Sequence, residues 1–207
     1  FGVDPAKIAA SGGSAGGHVA ACTGTVPIPK TEDNTISAIP CAMILFNPVI
    51  DTSKEGYGNN RFEGLDWKLF SPVHHVTKDT PPTIIFHGTN DTVAPFSGVA
   101  AFDKKMKELG RPCTLAAYEG AKHTFFNYQK FNGVHFCDTI TKMETFFIGL
   151  KLMEGPAHTV KQIRELCYGD KPAPPIAKEL RHKAKEKAKA DKEAKPTRTS
   201  KRTAPKP

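Results

Sequence analysis

The sequence has 207 residues, of which 39% are hydrophobic and 24% charged, a composition that fits one globular domain with a polar extension. The formal net charge of +8 lies entirely in residues 170–207, which contain 13 lysines and arginines and five acidic residues. Residues 1–169 are therefore neutral overall, and the basic pI of the whole sequence says nothing about this part of the chain. No apolar run is long enough to predict a membrane span. The five scattered cysteines form no CxxC pair, so neither a zinc site nor a disulfide framework is predicted.

Four short apolar runs predict strands, and longer segments with helical periodicity separate them. The strands are predicted at residues 6–11, 41–46, 83–88 and 113–118, and the helices at 14–24, 95–109 and 136–153. Strands that are apolar throughout are typical of a parallel sheet covered on both faces. The order of the elements therefore predicts an α/β fold with a mostly parallel sheet flanked by helices.

A glycine-rich turn joins the first predicted strand to the first predicted helix. Its sequence, Gly12-Gly13-Ser14-Ala15-Gly16, fits the G-x-S-x-G pattern of a nucleophile elbow. Such a turn holds the serine in a strained backbone conformation, and we expect the glycines on either side to avoid steric clashes. Ser14 is therefore a candidate nucleophile. The N–H of Ala15, at the start of the helix, is a candidate donor to the oxyanion.

A serine nucleophile needs a base, and the base needs an acid that orients it. After an elbow of this kind, the order along the chain is Ser, then Asp or Glu, then His. Asp91 lies three residues after the third predicted strand, and His123 lies five residues after the fourth. The sequence therefore predicts a catalytic triad of Ser14, Asp91 and His123 that needs no metal ion and no organic cofactor.

These motifs resemble the carboxylesterase and lipase branch of the α/β-hydrolases, in particular its acetylxylan- and feruloyl-esterase-like members. The resemblance extends to about residue 155. It rests on GVDPAKIAASGGSAGGHVA (2–20), FNPVID (46–51), PPTIIFHGTNDTVAP (81–95) and YEGAKHTFFN (118–127). It implies the α/β-hydrolase fold, with Ser14 as nucleophile, Asp91 as acid and His123 as base. The family commonly has glycine directly after this histidine, where the present chain has Thr124.

The resemblance also implies several strands before the nucleophile and an HGG-type loop that donates the second oxyanion N–H. Only 13 residues precede Ser14. We therefore expect this chain to be the C-terminal part of a longer hydrolase, poorly stable and nearly inactive alone, since losing one oxyanion donor costs about 3 kcal/mol. A signal peptide would lie before Phe1, and its presence there would make the protein secreted or periplasmic.

Three segments are predicted along the chain: a partial α/β-hydrolase domain at 1–155, a connecting segment at 156–169 and a disordered Lys/Ala/Pro-rich tail at 170–207. The tail has few large apolar side chains, so it has no face that would hold it to a core. Its charge can attract polyanions nonspecifically. It lacks interleaved aromatic residues, so specific recognition of nucleic acid is not predicted.

Other residues compete for the roles of acid and base. Asp51 also follows a strand, but not the one expected for the acid, and is interpreted as a loop cap or a substrate-side residue. His87 ends the third strand and is interpreted as packing beneath the site. His18 is interpreted as packing beside the nucleophile, and His74 and His75 as loop or surface residues.

The sequence thus predicts a serine carboxylic-ester hydrolase that acts through an acyl-enzyme on a small-molecule or carbohydrate ester. Acetyl and feruloyl esters of carbohydrates are suggested by the resemblance alone. A serine peptidase of the prolyl-oligopeptidase type is an alternative, although such peptidases usually have Tyr directly after the nucleophile, where this chain has Ala15. A noncatalytic hydrolase-like binding module is the second alternative. Acyl length, alcohol moiety and oligomeric state are not predicted.

Overall fold

The computed structural model describes residues 2–27, 37–57 and 64–171. Its strands are β1 (Ala10–Gly13), β2 (Met43–Phe46), β3 (Thr83–Gly88) and β4 (Cys113–Tyr118), and its helices are α1 (Ala15–Thr25), α2 (Phe96–Glu108), α3 (Val134–Gly149) and α4 (Val160–Tyr168). The four strands form one sheet in the order β1-β2-β3-β4, and every neighbouring pair is parallel. The predicted α/β class with a parallel sheet is confirmed.

The two inner strands are buried on both faces, as their continuous apolar sequences predict. Residues 43–45 of β2 and 84–86 of β3 are at most 2% exposed. The register places Ile44 beside Ile84 and Leu45 beside Ile85. Since successive side chains of a strand point to opposite faces, both faces of the sheet present large apolar side chains.

Helices cover these two apolar faces. On one face, Leu45 and Ile85 pack with α1 and α2, and on the other, Ile44 and Ile84 pack with α3. The helix residues in these layers are Ala20, Ala21, Val99, Phe102 and Met106 on the first face, and Met143, Phe146 and Phe147 on the second. The rigid sheet between the two layers fixes the positions of the loops that follow its strands.

The first strand begins later than predicted. Residues 6–11 were expected to form it, but Pro5–Lys7 form a turn of 3-10 helix, in which the carboxylate of Asp4 accepts the N–H of Ala6. The strand is Ala10–Gly13 and extends into the glycine-rich turn itself. The prediction was wrong at both ends, because the capped turn takes up Ala6 and Lys7 and because the strand continues through Gly12 and Gly13.

The segment 156–169, predicted to be a connecting segment, contains the helix α4. A capping box begins this helix: Thr159 Oγ1 accepts the N–H of Gln162, and Gln162 Oε1 accepts the N–H of Thr159. Ile163 then packs against the buried Cys137 of α3. The T-x-x-Q pattern signals such a start, and the sequence interpretation missed it.

The predicted tail, from residue 172 onward, lies outside the described residues. Within those residues, no helix is both long and apolar enough to cross a bilayer. The five cysteines are free thiols.

Candidate active site

The loop after each of the four strands contributes one polar residue to the candidate site, at the carboxyl edge of the sheet. Ser14 follows β1, Asn47 follows β2, Asp91 lies in the loop after β3, and His123 lies in the loop after β4. The sequence predicted three of these four residues. Because the strands are parallel, all four residues lie at the same edge of the sheet.

Residues 12–17, which run from the end of β1 into the first turn of α1, are named the nucleophile turn. Ser14 has φ 55° and ψ −118° and lies directly before the first residue of α1. Its N–H donates to the carbonyl oxygen of Phe46 at the end of β2, at 2.9 Å. A non-glycine residue in such a conformation costs about 1–3 kcal/mol, so the surrounding structure must hold it there.

Close backbone contacts provide that support. A Cβ added to Gly12 would lie 2.3 Å from the carbonyl oxygen of Gly16, and one added to Gly17 would lie 2.9 Å from Cβ of Pro48. At Gly16, an added Cβ would meet no atom of the described residues within 4 Å. The steric role predicted for Gly16 is therefore wrong, and Gly17 takes that role instead.

The structure brings Ser14, His123 and Asp91 together in one hydrogen-bonded row. His123 Nε2 is 2.9 Å from Ser14 Oγ, and His123 Nδ1 is 2.7 Å from Asp91 Oδ2. A carboxylate accepts only, so Nδ1 carries the hydrogen and a neutral ring has Nε2 free to accept from the serine hydroxyl. This arrangement is chemically able to take the proton of the hydroxyl.

The carboxylate of Asp91 is fixed on its other side. Its side chain is fully buried, and Oδ1 accepts the backbone N–H groups of Val93 and Ala94 at 2.9 and 3.0 Å. Both oxygens therefore have partners, and the burial of a charged group is compensated by hydrogen bonds. The carboxylate is held in place to orient His123.

His87 lies beneath this carboxylate, in the place that the sequence interpretation gave it. It is fully buried, and its Nε2 donates to the carbonyl oxygen of Ala94 at 2.9 Å and lies 3.5 Å from Asp91 Oδ2. Its Nδ1 has no hydrogen-bond partner among the described residues. Burial lowers the pKa of His87 more than the carboxylate of Asp91 raises it, so the ring is neutral at pH 7.

Residues 119–130 carry His123 and are named the histidine loop. Thr124 has φ 62°, the left-handed conformation that favours glycine, which explains why glycine suits this position in the family. Lys130 compensates for threonine here: its Nζ donates to Thr124 Oγ1 at 2.5 Å and to the carbonyl oxygen of His123 at 3.3 Å. Phe125 is 1% exposed and anchors the loop in the core.

Asn47 is the residue that the sequence analysis did not assign. It is fully buried at φ 33°, and its N–H donates to the carbonyl oxygen of Phe86 at 2.7 Å. Its side chain contacts the histidine loop at His123 and at Thr124. The available signal was an asparagine directly after a buried strand, in the FNPVID motif.

The competing residues have other partners. Asp51 Oδ1 accepts the N–H of Ser53 and so caps its own loop. His18 Nδ1 donates to the carbonyl oxygen of Val49 at 2.9 Å, beside the nucleophile turn. His74 is exposed and its ring forms a hydrogen bond with the hydroxyl of Ser71. His75 is half-buried and its ring donates to the carbonyl oxygen of Lys68. In the described part of the chain, no group of three or more His, Cys, Asp or Glu side chains could hold a metal ion.

One cavity adjoins the nucleophile turn at Ala15, and another adjoins His123. The smaller one, of about 70 Å³, is lined by Ala15, His18, Val49 and Tyr57. The larger one, of about 660 Å³, lies beside His123; it is lined by Gly120, Lys122, His123, Phe125, Gln129, Lys130, Phe131 and Asn132. The first is apolar apart from its histidine and tyrosine, and the second combines cationic, amide and aromatic groups.

A parallel sheet with a serine at a strained strand-to-helix turn, and with an acid and a histidine after later strands, is the arrangement of the α/β-hydrolases. A family model described as prolyl oligopeptidase family matches residues 1–142. The chain belongs to the prolyl oligopeptidase family.

The individual proteins that the chain resembles include esterases. A probable isoprenylcysteine alpha-carbonyl methylesterase of Arabidopsis thaliana is 29% identical, over 60% of this chain and 31% of its own length. The apo form of Thermogutta terrifontis esterase 2 is 43% identical with a TM-score of 0.69, over 74% of this chain and 59% of that one. Its propionate-bound form gives 42% identity and a TM-score of 0.67, over 74% of this chain and 60% of that one.

The chain thus spans about a third of the curated relative and about three fifths of the solved esterase. The α/β-hydrolase fold follows from these likenesses. The acetylxylan-esterase branch suggested by the motifs is not among the proteins matched above, and the expectation of a second oxyanion donor before Phe1 stays a prediction.

Proposed function

We propose that the protein is a serine carboxylic-ester hydrolase in which Ser14 is the nucleophile, His123 the base and Asp91 the acid that orients it. The observation that carries this proposal is the hydrogen-bonded row from Ser14 Oγ through His123 to the buried carboxylate of Asp91. The esterases among the similar proteins support ester rather than peptide bonds as the target.

In the first step, Ser14 Oγ attacks the ester carbonyl carbon while His123 Nε2 takes the hydroxyl proton. The negative oxygen that forms is stabilised by the N–H of Ala15, which belongs to the first turn of α1, where N–H groups have no partner within the helix. The C–O bond to the alcohol then breaks, and His123 gives its proton to the leaving oxygen. The product of this step is an acyl-serine.

In the second step, water replaces the alcohol. His123 takes a proton from water as the hydroxide adds to the acyl carbon, and returns it to Ser14 Oγ when the carboxylic acid leaves. Asp91 remains ionised throughout and stabilises the imidazolium that forms twice in the cycle. All proton transfers therefore run through His123, between Ser14 or water and the leaving oxygens, and Asp91 transfers none.

The small cavity next to Ala15 supports a short acyl chain. Its volume of about 70 Å³ is far below the roughly 300–1,000 Å³ of a site for a drug-sized ligand. Esterase 2 of Thermogutta terrifontis has been solved with propionate bound, the carboxylate of a three-carbon acyl chain. Acetyl, propionyl and butyryl esters are therefore the proposed substrates, ahead of the bulkier feruloyl esters.

The larger cavity beside His123 supports a polar alcohol moiety, because His123 must reach the leaving oxygen. Lys122 and Gln129 line it with hydrogen-bond donors, and Phe131 is 56% exposed at its wall. Donors together with an exposed aromatic ring suit a hydroxyl-rich group. This supports the carbohydrate ester suggested by the sequence motifs.

Hydrolysis of p-nitrophenyl acetate, butyrate and decanoate by the protein, expressed from its complete gene, tests the proposal. We expect turnover of the two short esters and a loss of at least about 1,000-fold in kcat/KM for Ser14→Ala. Ser11→Ala is the matched control, since Ser11 is an exposed serine of β1 and should retain full activity. A fluorophosphonate probe should label Ser14, as identified by peptide mass spectrometry.

A peptidase is the second candidate, because the family model carries that name. The same assay with a chromogenic prolyl p-nitroanilide separates the two functions. Faster Ser14-dependent release from the anilide than from the acetyl ester would replace the esterase proposal. A folded protein whose Ser14 reacts with neither substrate nor probe would instead support the noncatalytic binding module.

A further inference from the structure

Asn47 follows β2, the one strand of the four whose carboxyl end supplies no member of the proposed triad. It is fully buried, and its backbone is held at φ 33° by the hydrogen bond from its N–H to the carbonyl oxygen of Phe86 at 2.7 Å. A buried amide side chain must have hydrogen-bond partners, since leaving it unpaired costs about 1–3 kcal/mol. Its partners therefore indicate its role.

The orientation of the carboxamide follows from one of these partners. The backbone N–H of Thr124 lies 2.9 Å from Asn47 Oδ1, and a backbone N–H can only donate. The oxygen therefore faces Thr124, and the NH₂ group faces His123, with Nδ2 3.4 Å from His123 Nε2. Asn47 thus contacts the histidine loop at two points, one on the backbone and one at the reacting nitrogen.

We infer that Asn47 is a positioning residue: its oxygen ties the histidine loop, and its NH₂ group keeps His123 Nε2 an acceptor for the Ser14 hydroxyl. This inference rests on the proposed function for the roles of Ser14 and His123. An amide NH₂ near Nε2 opposes a proton at that nitrogen, which must be free when the serine attacks. The same group is too far away, at 3.4 Å, to replace Ser14 Oγ at 2.9 Å.

The charged and titratable groups around His123 act in different directions. Asp91 bonds Nδ1 and favours the imidazolium, Lys130 lies at the carbonyl of His123 and opposes it, and His87 beneath Asp91 is neutral. Asn47 is the neutral partner on the Nε2 side. Replacing its NH₂ group by a carboxylate oxygen therefore changes the electric field at His123 Nε2 and leaves the shape of the side chain almost unchanged.

Asn47→Asp makes this exchange and keeps the acceptor for Thr124. We expect the acid limb of the kcat/KM–pH profile to move upward by about one pH unit or more, because a carboxylate this close favours the imidazolium. The His123 ring, followed by NMR titration of the whole protein, should show the same displacement without any need for turnover. Asn127→Asp is the matched control: it adds the same charge to the histidine loop, where the N–H of Asn127 bonds the carbonyl oxygen of Thr124, and it should displace the profile and the titration clearly less than Asn47→Asp does.

Asn47→Gly removes both contacts while suiting a backbone at positive φ. We expect kcat to fall roughly 10- to 100-fold with KM little changed, since the histidine is then misplaced relative to bound substrate. An Asn47→Asp variant whose His123 titrates as in the wild type, or an Asn47→Gly variant with wild-type kcat, would overturn the inference. Absence of wild-type turnover would instead count against the proposed function, while the NMR titration would still decide the role of Asn47.

Discussion

The nucleophile turn and the histidine loop hold their reactive side chains by different means. Ser14 is placed by the backbone, since Gly12 and Gly17 allow contacts that leave no room for a Cβ. His123 is placed by side chains, since Asn47 and Lys130 bond to its loop. We therefore expect a side chain added in the nucleophile turn to displace Ser14 and cause a large loss of activity. Substitutions in the contacts of the histidine loop should have smaller, graded effects on His123.

Among substitutions that test how the two segments hold their side chains, the largest effect is expected from Gly12→Ala. The new Cβ would lie 2.3 Å from the backbone oxygen of Gly16, which cannot rotate away. Overpacking of this kind costs about 1–3 kcal/mol, occasionally more. Relief of this clash should displace Ser14 from His123, and this displacement should lower kcat/KM at least about 100-fold. Urea unfolding and ester hydrolysis measure the two effects.

Gly16→Ala is the matched control, four residues away in the same turn. A Cβ there meets no atom of the described residues within 4 Å, and alanine favours the first turn of α1 by up to about 1 kcal/mol. Stability and activity should therefore be kept or rise slightly. Equal losses in the two variants would refute the view that specific backbone contacts hold the nucleophile turn.

The fold could be predicted from the sequence where local patterns and packing agree. The residues of β3 and β4 were predicted correctly, because continuous apolar or β-branched runs end at turn residues. The helix α4 within 156–169 was not predicted, because it has only nine residues and follows a stretch with Gly155 and Pro156 that was interpreted as a stop. Its helical state depends on a cap and on packing against α3.

The candidate site shows the same limit. Ser14, Asp91 and His123 could be predicted because their spacing from strand ends follows a rule of chain order. No rule of chain order predicts a role for Asn47. Its role depends on a contact with Thr124, 77 positions away along the chain, that only the folded sheet brings about. The error at Gly16 has a similar cause, since the motif does not say which glycine touches the neighbouring strand's loop.

An intermediate effect is expected in the histidine loop. Lys130→Met should lower the free energy of unfolding by about 1 kcal/mol, because Thr124 then keeps a left-handed backbone without the hydrogen bond at its Oγ1. Adding Thr124→Gly should restore most of this loss, since the left-handed conformation costs about 1–2 kcal/mol for other residues and little for glycine. Urea unfolding of both variants tests the pair. If the second substitution deepens the loss, the side-chain support assigned to this loop is wrong.

The smallest effect at neutral pH is expected at His87. This residue lies beneath the Asp91 loop, which is held both by backbone N–H groups and by the His87 side chain. Burial lowers the pKa of His87 in the folded protein, so the unfolded chain binds more protons once the pH falls below its ordinary value of about 6.5. Stability should therefore be full above about pH 6.5 and decline as the pH falls further.

His87→Gln removes the titrating ring and keeps a side-chain N–H for the carbonyl of Ala94. Unfolding free energies of both proteins, measured between pH 8 and pH 5, should decline less on acidification for the variant. Parallel curves would mean that His87 does not set the acid sensitivity of the Asp91 loop, and that backbone N–H groups alone support it.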